Sequence, residues 1–380
     1  MSKIEELIKE YCLDGVEYKK LDDVTTYERP DKFIVKNTEY NDAFKIPVLT
    51  AGKAFILGYT DETENIYLAS AEEPVIIFDD FLAVSKWVDF PFKVKSSAMK
   101  FIHATDDIDI RYLFYTMQCI NYTPTDHARQ WISTYSQFEI PVPPLPVQQE
   151  IVRILDSFTE LQNELQKELE ERKKQYQNCL NRVFEDVSED NWIELGDMAR
   201  FSYGLTDTAK DSGDTRFIRI TDIADNGHLN NLPKYILSSQ AAEKYRLHKG
   251  DLVMARTGAT YGKTLYIDND EPAVYASFLI KIMLSDRLDS RYYWHFTHSK
   301  FYWNQADSLA THGGQPQFNS NALSCIKVPV VSIDEQKKVA DKLDVLDRYY
   351  CKLLPAEISL RQQQYTYYRD KLLSFPGKEA

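Results

Sequence analysis

One stretch of this chain occurs twice, and no other feature constrains its fold as tightly. The first copy runs from Ile140 to Phe184. It opens on a proline-rich lead-in, IPVPPLPVQQEIVRILD, and continues without a glycine. Its apolar residues Ile151, Ile154, Phe158, Leu161, Leu165 and Leu169, then Tyr176, Leu180 and Val183, step by three and four. That spacing predicts a helix with a heptad-like seam. Glu, Gln, Lys and Arg, all good helix formers, fill the outer face. The roughly 38 residues from Val147 to Phe184 would make a rod of roughly 57 Å.

The second copy, VPVVSIDEQKKVADKLDVLD, aligns without a gap at an offset of 188: Pro141 meets Pro329, Leu145 meets Ile333, Gln148 meets Gln336, Leu155 meets Leu343 and Asp156 meets Asp344. One residue is then gained, so that Arg172 meets Arg361 and Gln175-Tyr176 meets Gln364-Tyr365. The starts repeat as well, since Glu17 to Leu21 resembles Asn191 to Leu195 at an offset of 174. A repeat this long is one structural plan used twice: a globular part followed by a long helix. The expected fold is α+β, with two globular α/β parts separated by two long antiparallel coiled-coil helices and a pseudo-twofold internal repeat. The segments are 1–140, 141–190, 191–325 and 326–380. Pro355 predicts a break or kink at Leu354-Pro355, or the start of a fresh helix.

Net charge is −13 over 380 residues. It is uneven: residues 1–140 carry −9, 141–190 carry −5, 191–325 carry −1 and 326–380 carry +2. No segment is a basic domain, so charge alone does not point to nucleic acid. No apolar run is long enough for a membrane span, and MSKIEELIKE lacks the apolar core of a signal peptide. Cys12, Cys119, Cys179, Cys325 and Cys351 are scattered with no CxxC, which predicts free thiols in a cytoplasmic protein.

Within the globular parts, residues 1–14 read as an amphipathic helix. Lys45 to Tyr59 reads as strand, turn, strand, and Glu73 to Ala83 as a buried strand and turn. Ile110 to Ile120 has helical spacing. In the second half Arg216 to Ile223 alternates as a strand, Thr257 to Lys263 is a glycine-punctuated hairpin loop, and Ala273 to Met283 is an apolar strand region. Arg291 to Ala306 reads as one aromatic-rich helix, and Thr311 to Gln317 as a flexible loop.

Few motifs carry chemistry. Gly258 to Thr264 has three residues between its glycines where a phosphate-binding loop needs four, and it lies between strands. His295 and His298 lack a third ligand, so no metal site is expected. The acid pairs Asp79-Asp80 and Asp106-Asp107 fit solvated turns. Lys86, Lys93, Lys95 and Lys100, with Trp87, Ser96 and Ser97, are a basic concentration in an acidic half. They suit either a solvated strand face or phosphate contact. In the Thr311–Gln317 loop, glycines permit close backbone approach and Gln315 or Gln317 is suited to adenine. There is no NPPY- or NPPF-type tetrapeptide, no glycine-rich cofactor motif and no helicase or nuclease set, so no catalytic residue is assigned.

The lead-in PPLPVQQEIVRILD, its echo and the ending LPAEISLRQQQYTYYRDKLLSF resemble the repeat regions of specificity (S) subunits of Type I restriction–modification systems. PVLTAGKAFILGYT and PVIIFDDFLAVSKWVDFPFKVKSSAMKF resemble their target-recognition domains, as do GDTRFIRITDI, KGDLVMARTGATYGKT and GGQPQFNSNAL. The resemblance spans nearly the whole chain. It implies a non-catalytic DNA-recognition subunit with target-recognition domains at 1–140 and 191–325, each reading half of a bipartite double-stranded target. DNA contact is then expected from Lys53, Lys86, Trp87, Lys93, Lys95, Ser96, Ser97 and Lys100 in the first domain. In the second it is expected from Arg256, Thr257, Thr260, Tyr261, Lys263, His312, Gln315 and Gln317. The helices would set the spacing and, with Pro144, Leu145, Gln148, Ile333 and Gln336, dock two modification (methyltransferase) subunits that methylate adenine. The resemblance implies two restriction subunits as further partners. S-adenosylmethionine, ATP and Mg would sit on the partners, with no cofactor on this chain. The alternative is a DNA-binding or antirestriction protein of the same build without a productive methyltransferase partner.

Overall fold

The computed structural model describes residues 3–52, 54–230, 232–311 and 313–378. Two compact units are present: Met1–Glu164 with Ser359–Ala380, and Leu165–Ile358.

The first unit begins with helix α1 (Lys3–Tyr11), strand β1 (Glu17–Lys20), the one-turn helix α2 (Leu21–Val24) and β2 (Thr25–Glu28). Strands β3 (Ile46–Leu49), β4 (Ile56–Thr60), β5 (Val75–Asp79), β6 (Val84–Val88), β7 (Lys93–Val94) and β8 (Met99–Ala104) follow. Then come α3 (Ile110–Cys119), β9 (Glu139–Val142) and the 41-residue helix α4 (Leu145–Glu185). The strands pair as an antiparallel sheet β2-β8-β5-β6, a sheet β4-β3-β7 with β3 and β7 parallel, and the pair β1-β9. Strand β5 is apolar from Val75 to Phe78 because both faces are covered. Ile76 and Phe78 pack with Tyr112, Leu113 and Trp131 on one side; Val75 and Ile77 pack with Phe92, Val94 and Phe101 on the other.

The second unit repeats this plan. Its strands and short helices are β10 (Trp192–Glu194), β11 (Ala199–Tyr203), β12 (Thr215–Ile218), β13 (Tyr235–Ile236), α5 (Gln240–Glu243), β14 (Arg246–Leu247), β15 (Leu252–Ala255), β16 (Thr264–Tyr266), β17 (Ala273–Tyr275) and β18 (Leu279–Leu284). Helices α6 (Ser290–Phe296), α7 (Lys300–Leu309) and α8 (Ser320–Ser324), strand β19 (Lys327–Pro329) and helix α9 (Ile333–Arg348) complete it. The sheets β11-β18-β15-β16, β13-β12-β17-β14 and β10-β19 mirror those of the first unit. The mirroring extends to register: Tyr18 opposes Pro141, and Trp192 opposes Pro329. On β15, Leu252 and Met254 face one core while Val253 and Ala255 face another.

After α9 the helix passes through a π turn (Tyr349–Leu353) into α10 (Leu354–Leu372). Pro355 thus lies in the first turn of α10, and the chain bulges there without breaking. The wider i→i+5 turn, in which the Leu354 N–H donates to the Tyr349 carbonyl, absorbs the clash a proline imposes one turn back. This turn lies between Asp344 and Arg361, where the second repeat gains its extra residue. Helix α4 belongs to the first unit up to Glu164 and to the second from Leu165; α10 passes back at Ser359. In the first unit Phe158 packs on Tyr365 and Tyr368, and in the second Tyr176 packs on Tyr350.

Two elements differ from their sequence reading. Arg291–Ala306 is two helices, because Thr297 bonds back to the Trp294 carbonyl and Ser299 caps α7. The strand expected over 216–223 ends at Ile218, where Arg219 and Asp222 close a 3₁₀ turn. The apolar region 273–283 is two strands. Among the described residues no helix is long and apolar enough to cross a membrane, and all five cysteines are free.

Candidate nucleic-acid interface

Each globular part is held to its long helix by the same clamp. In the first unit the buried Gln148 side chain accepts from the Asp109 N–H (2.8 Å) and donates to the Pro143 and Asp107 carbonyls (2.7 and 3.2 Å). In the second, Gln336 accepts from the Asp289 N–H (2.8 Å) and donates to the Val331 and Arg287 carbonyls (2.8 and 2.9 Å). Asp109 and Asp289 in turn cap α3 and α6. Tyr112 and Tyr292 both donate to a lead-in proline carbonyl, of Pro141 and Pro329, at 3.0 Å. Two turns further along the long helices, Arg111 bonds Asp156 (2.8 Å) and Arg291 bonds Asp344 (2.6 Å). Tyr115 completes the first pair; His295, bonded to both Asp344 and Tyr176, completes the second. Burial opposes ionisation of Asp344, yet the His295 and Arg291 bonds hold its carboxyl below the usual range.

Within each unit, loops that are distant in sequence are hydrogen-bonded to one another. In the first unit the Asp80 N–H donates to Ala98 O, Gln130 N–H to Asp80 O, and Gly52 N–H to the Asp79 carboxylate. In the second, Arg256 N–H donates to Phe278 O and Phe318 N–H to Arg256 O.

Loop by loop, the sequence expectations fare differently. In the second unit Arg256, Thr260, Gln315 and Gln317 come together. Gly258 N–H donates to Pro316 O, and Thr257, itself buried, pairs with Gln317 as a β-bridge. The Arg256 guanidinium lies over the exposed rings of Tyr203 (5.1 Å) and Phe278 (5.5 Å). Those two aromatics were not legible as site residues, because they come from separate strand ends. Tyr261 donates to Asp307 at 2.6 Å, which raises its phenol to about 12, and Lys263 ion-pairs with Asp225. Both are engaged within the unit. His312 lies outside the described residues, as does Lys53.

In the first unit Lys86 is exposed on the edge strand, and Lys95, Ser96 and Ser97 are half-buried on the loop side. Arg129, which no sequence signal marked, reaches Ser97 Oγ at 3.3 Å. Two expectations are corrected. Lys93 is 1% exposed, donating to Glu64 O and ion-paired with Glu62 at 2.8 Å. Lys100 is 3% exposed, facing Asp80 at 3.6 Å and the Tyr27 ring. Both lysines support the fold and are not free contacts. Trp87 is half-buried, with its ring against the Arg111 guanidinium (4.4 Å) and Phe114 and its indole N–H donating to Asp89. Asp79 and Asp80 are likewise buried turn-formers, not solvated acids. On the lead-ins Pro144 and Leu145 are exposed and Ile333 is half-buried. Gln148 and Gln336 are fully buried clamp residues and offer no docking surface.

Residues 14–172 and 189–359 match the family model for the Type I restriction modification DNA specificity domain. The chain is 38% identical to the EcoR124I/EcoR124II specificity subunit of Escherichia coli, over 98% of both chains. It is 27% identical to a putative type I specificity subunit of Haemophilus influenzae, over 96% of this chain and 98% of that one. Among solved structures it resembles the S subunit from M. genitalium, with TM-score 0.59 at 15% identity over 94% and 95% of the two chains. It also resembles a chain from a study of complex assembly in the type I R-M system, with TM-score 0.55 at 16% identity over 94% and 97%. At those identities the structural likeness concerns fold.

Proposed function

This chain belongs to the family of Type I restriction–modification specificity subunits, and we propose on that premise that each globular unit reads one half of a bipartite double-stranded DNA target. The specificity subunit is the non-catalytic DNA-recognition component of its complex, with two target-recognition domains. The clustered loops are the reading surfaces: Arg256 with Tyr203, Phe278, Gln315 and Gln317 in the second unit, and Lys86, Lys95, Ser96, Ser97 and Arg129 in the first. Arginine and glutamine are suited to bidentate readout of guanine and adenine edges.

Two modification subunits dock on the long helices and the exposed lead-in residues Pro144 and Leu145, bringing S-adenosylmethionine and methylating adenine N6. The flipped adenine belongs to their pockets. Two restriction subunits add ATP- and Mg-dependent cleavage, in the cytoplasm. The net charge of −13 fits a protein that leaves most phosphate neutralisation to its partners. The observation that carries the reading is the duplicated clamp, which would hold two equivalent loop clusters on two equivalent helices. The experiment is co-expression with the neighbouring modification subunit, followed by single-molecule methylation mapping. N6-methyladenine confined to one split motif is the expected result; a stable complex that methylates no motif would contradict it.

A further inference from the structure

Three metal-ligating side chains that no sequence spacing connects meet in the second unit. His228 Nε2, the Asp347 carboxylate and Cys351 Sγ lie within 4.8 Å of one another. His228 is presented by a tight hairpin, in which Ala224 N–H donates to His228 O and Gly227 N–H to Ala224 O. Gly227 has φ +72°, and a Cβ there would come 2.3 Å from His298 Nε2, so the turn requires glycine. Asn226 steadies both sides: its oxygen accepts from the His228 N–H and its amide donates to Cys351 Sγ at 3.4 Å. Asp347 and Cys351 are one turn apart where α9 enters the π turn, a kind of bulge that recurs at functional sites.

Two further observations point to a ligand. Asp347 is 5% exposed; one carboxylate oxygen meets His228 Nε2 at 2.9 Å, while the other is buried with no hydrogen-bond partner. An orphaned buried carboxylate oxygen is costly unless something positive meets it. The π turn, moreover, exists only in the second repeat. At the matching offset the first copy has Thr159 and Asn163, in a helix that is α throughout. Imidazole, carboxylate and thiolate together form a donor set for a borderline-soft divalent ion. His228 also lines a pocket of about 250 Å³, with Arg216, Asp268 and Lys352.

We propose that His228, Asp347 and Cys351 bind one zinc ion, with water as fourth ligand. Binding releases the Cys351 proton to solvent, shifts the His228 proton from Nε2 to Nδ1 so that the Nε2 lone pair is free, and replaces the His228–Asp347 hydrogen bond with two metal bonds. Bonds of about 2.0–2.3 Å draw the ligand atoms to roughly 3.3–3.8 Å apart. The ion then pins the 224–228 hairpin to the π turn.

The test uses the full reduced chain, stripped with chelator, re-equilibrated with zinc or cobalt(II) and freed of excess metal. One zinc per chain and a thiolate-to-cobalt charge-transfer band are expected. Cys351→Ser should abolish the band, Cys179→Ser should leave it, and Asn226→Ala should weaken zinc binding about 10-fold. His228→Gln provides a second ligand removal should Cys351→Ser fail to fold. No zinc uptake by the native chain, or unchanged uptake in a folded ligand variant, overturns the proposal.

Discussion

Gln148 and Gln336 are the residues on which each globular part hangs. Replacing Gln148 with Ala strands the Asp109 N–H and two carbonyls in a site closed to water, and should cost about 2–3 kcal/mol. Denaturant unfolding of Gln148→Ala against the exposed neighbour Gln149→Ala checks this. Arg256→Ala belongs to the proposed reading surface. If its guanidinium reads a base, discrimination at one target position should fall by about 1–3 kcal/mol with other positions unchanged; uniform weakening would make it a phosphate contact. His298 gives a pH dependence. Burial lowers its pKa from the ordinary 6.5 to about 4. A group depressed on folding contributes fully above its unfolded pKa, so its contribution should vanish as pH falls from about 6.5 to 4. His298→Asn should flatten that part of the stability profile, followed by tryptophan fluorescence.

At the scale of elements, the repeated helix, its lead-in and the paired strand starts were legible because period and offset are properties of the sequence itself. The single residue gained after Asp344 was also visible, but only the structure identifies it as a π turn. Deleting one residue within 349–353 should restore α geometry and rotate everything beyond it by about 100°. Tyr365 and Tyr368 would then leave Phe158, and the melting temperature should drop while helical circular dichroism persists. What the sequence hid was burial. Lys93 and Lys100 look like phosphate contacts until Glu62, Asp80 and the Tyr27 ring arrive from other segments of the chain. Tyr203, Phe278 and Arg129 were missed for the converse reason, since they join the loop clusters only through the tertiary fold.

For the whole molecule, the duplicated plan gives two sets of sheets, two clamps and two loop clusters from one sequence repeat, on a chain whose acidic balance disfavours DNA binding by itself. The most direct measurement is a half-exchange. Residues 191–325 are replaced by the corresponding segment of a family member with another target. The chimera is co-expressed with the modification subunit, and N6-methyladenine is mapped across the host genome. Two independent reading units predict a motif changed in one half only, with the other half and the spacer retained. A motif altered in both halves, or in neither, would contradict the account.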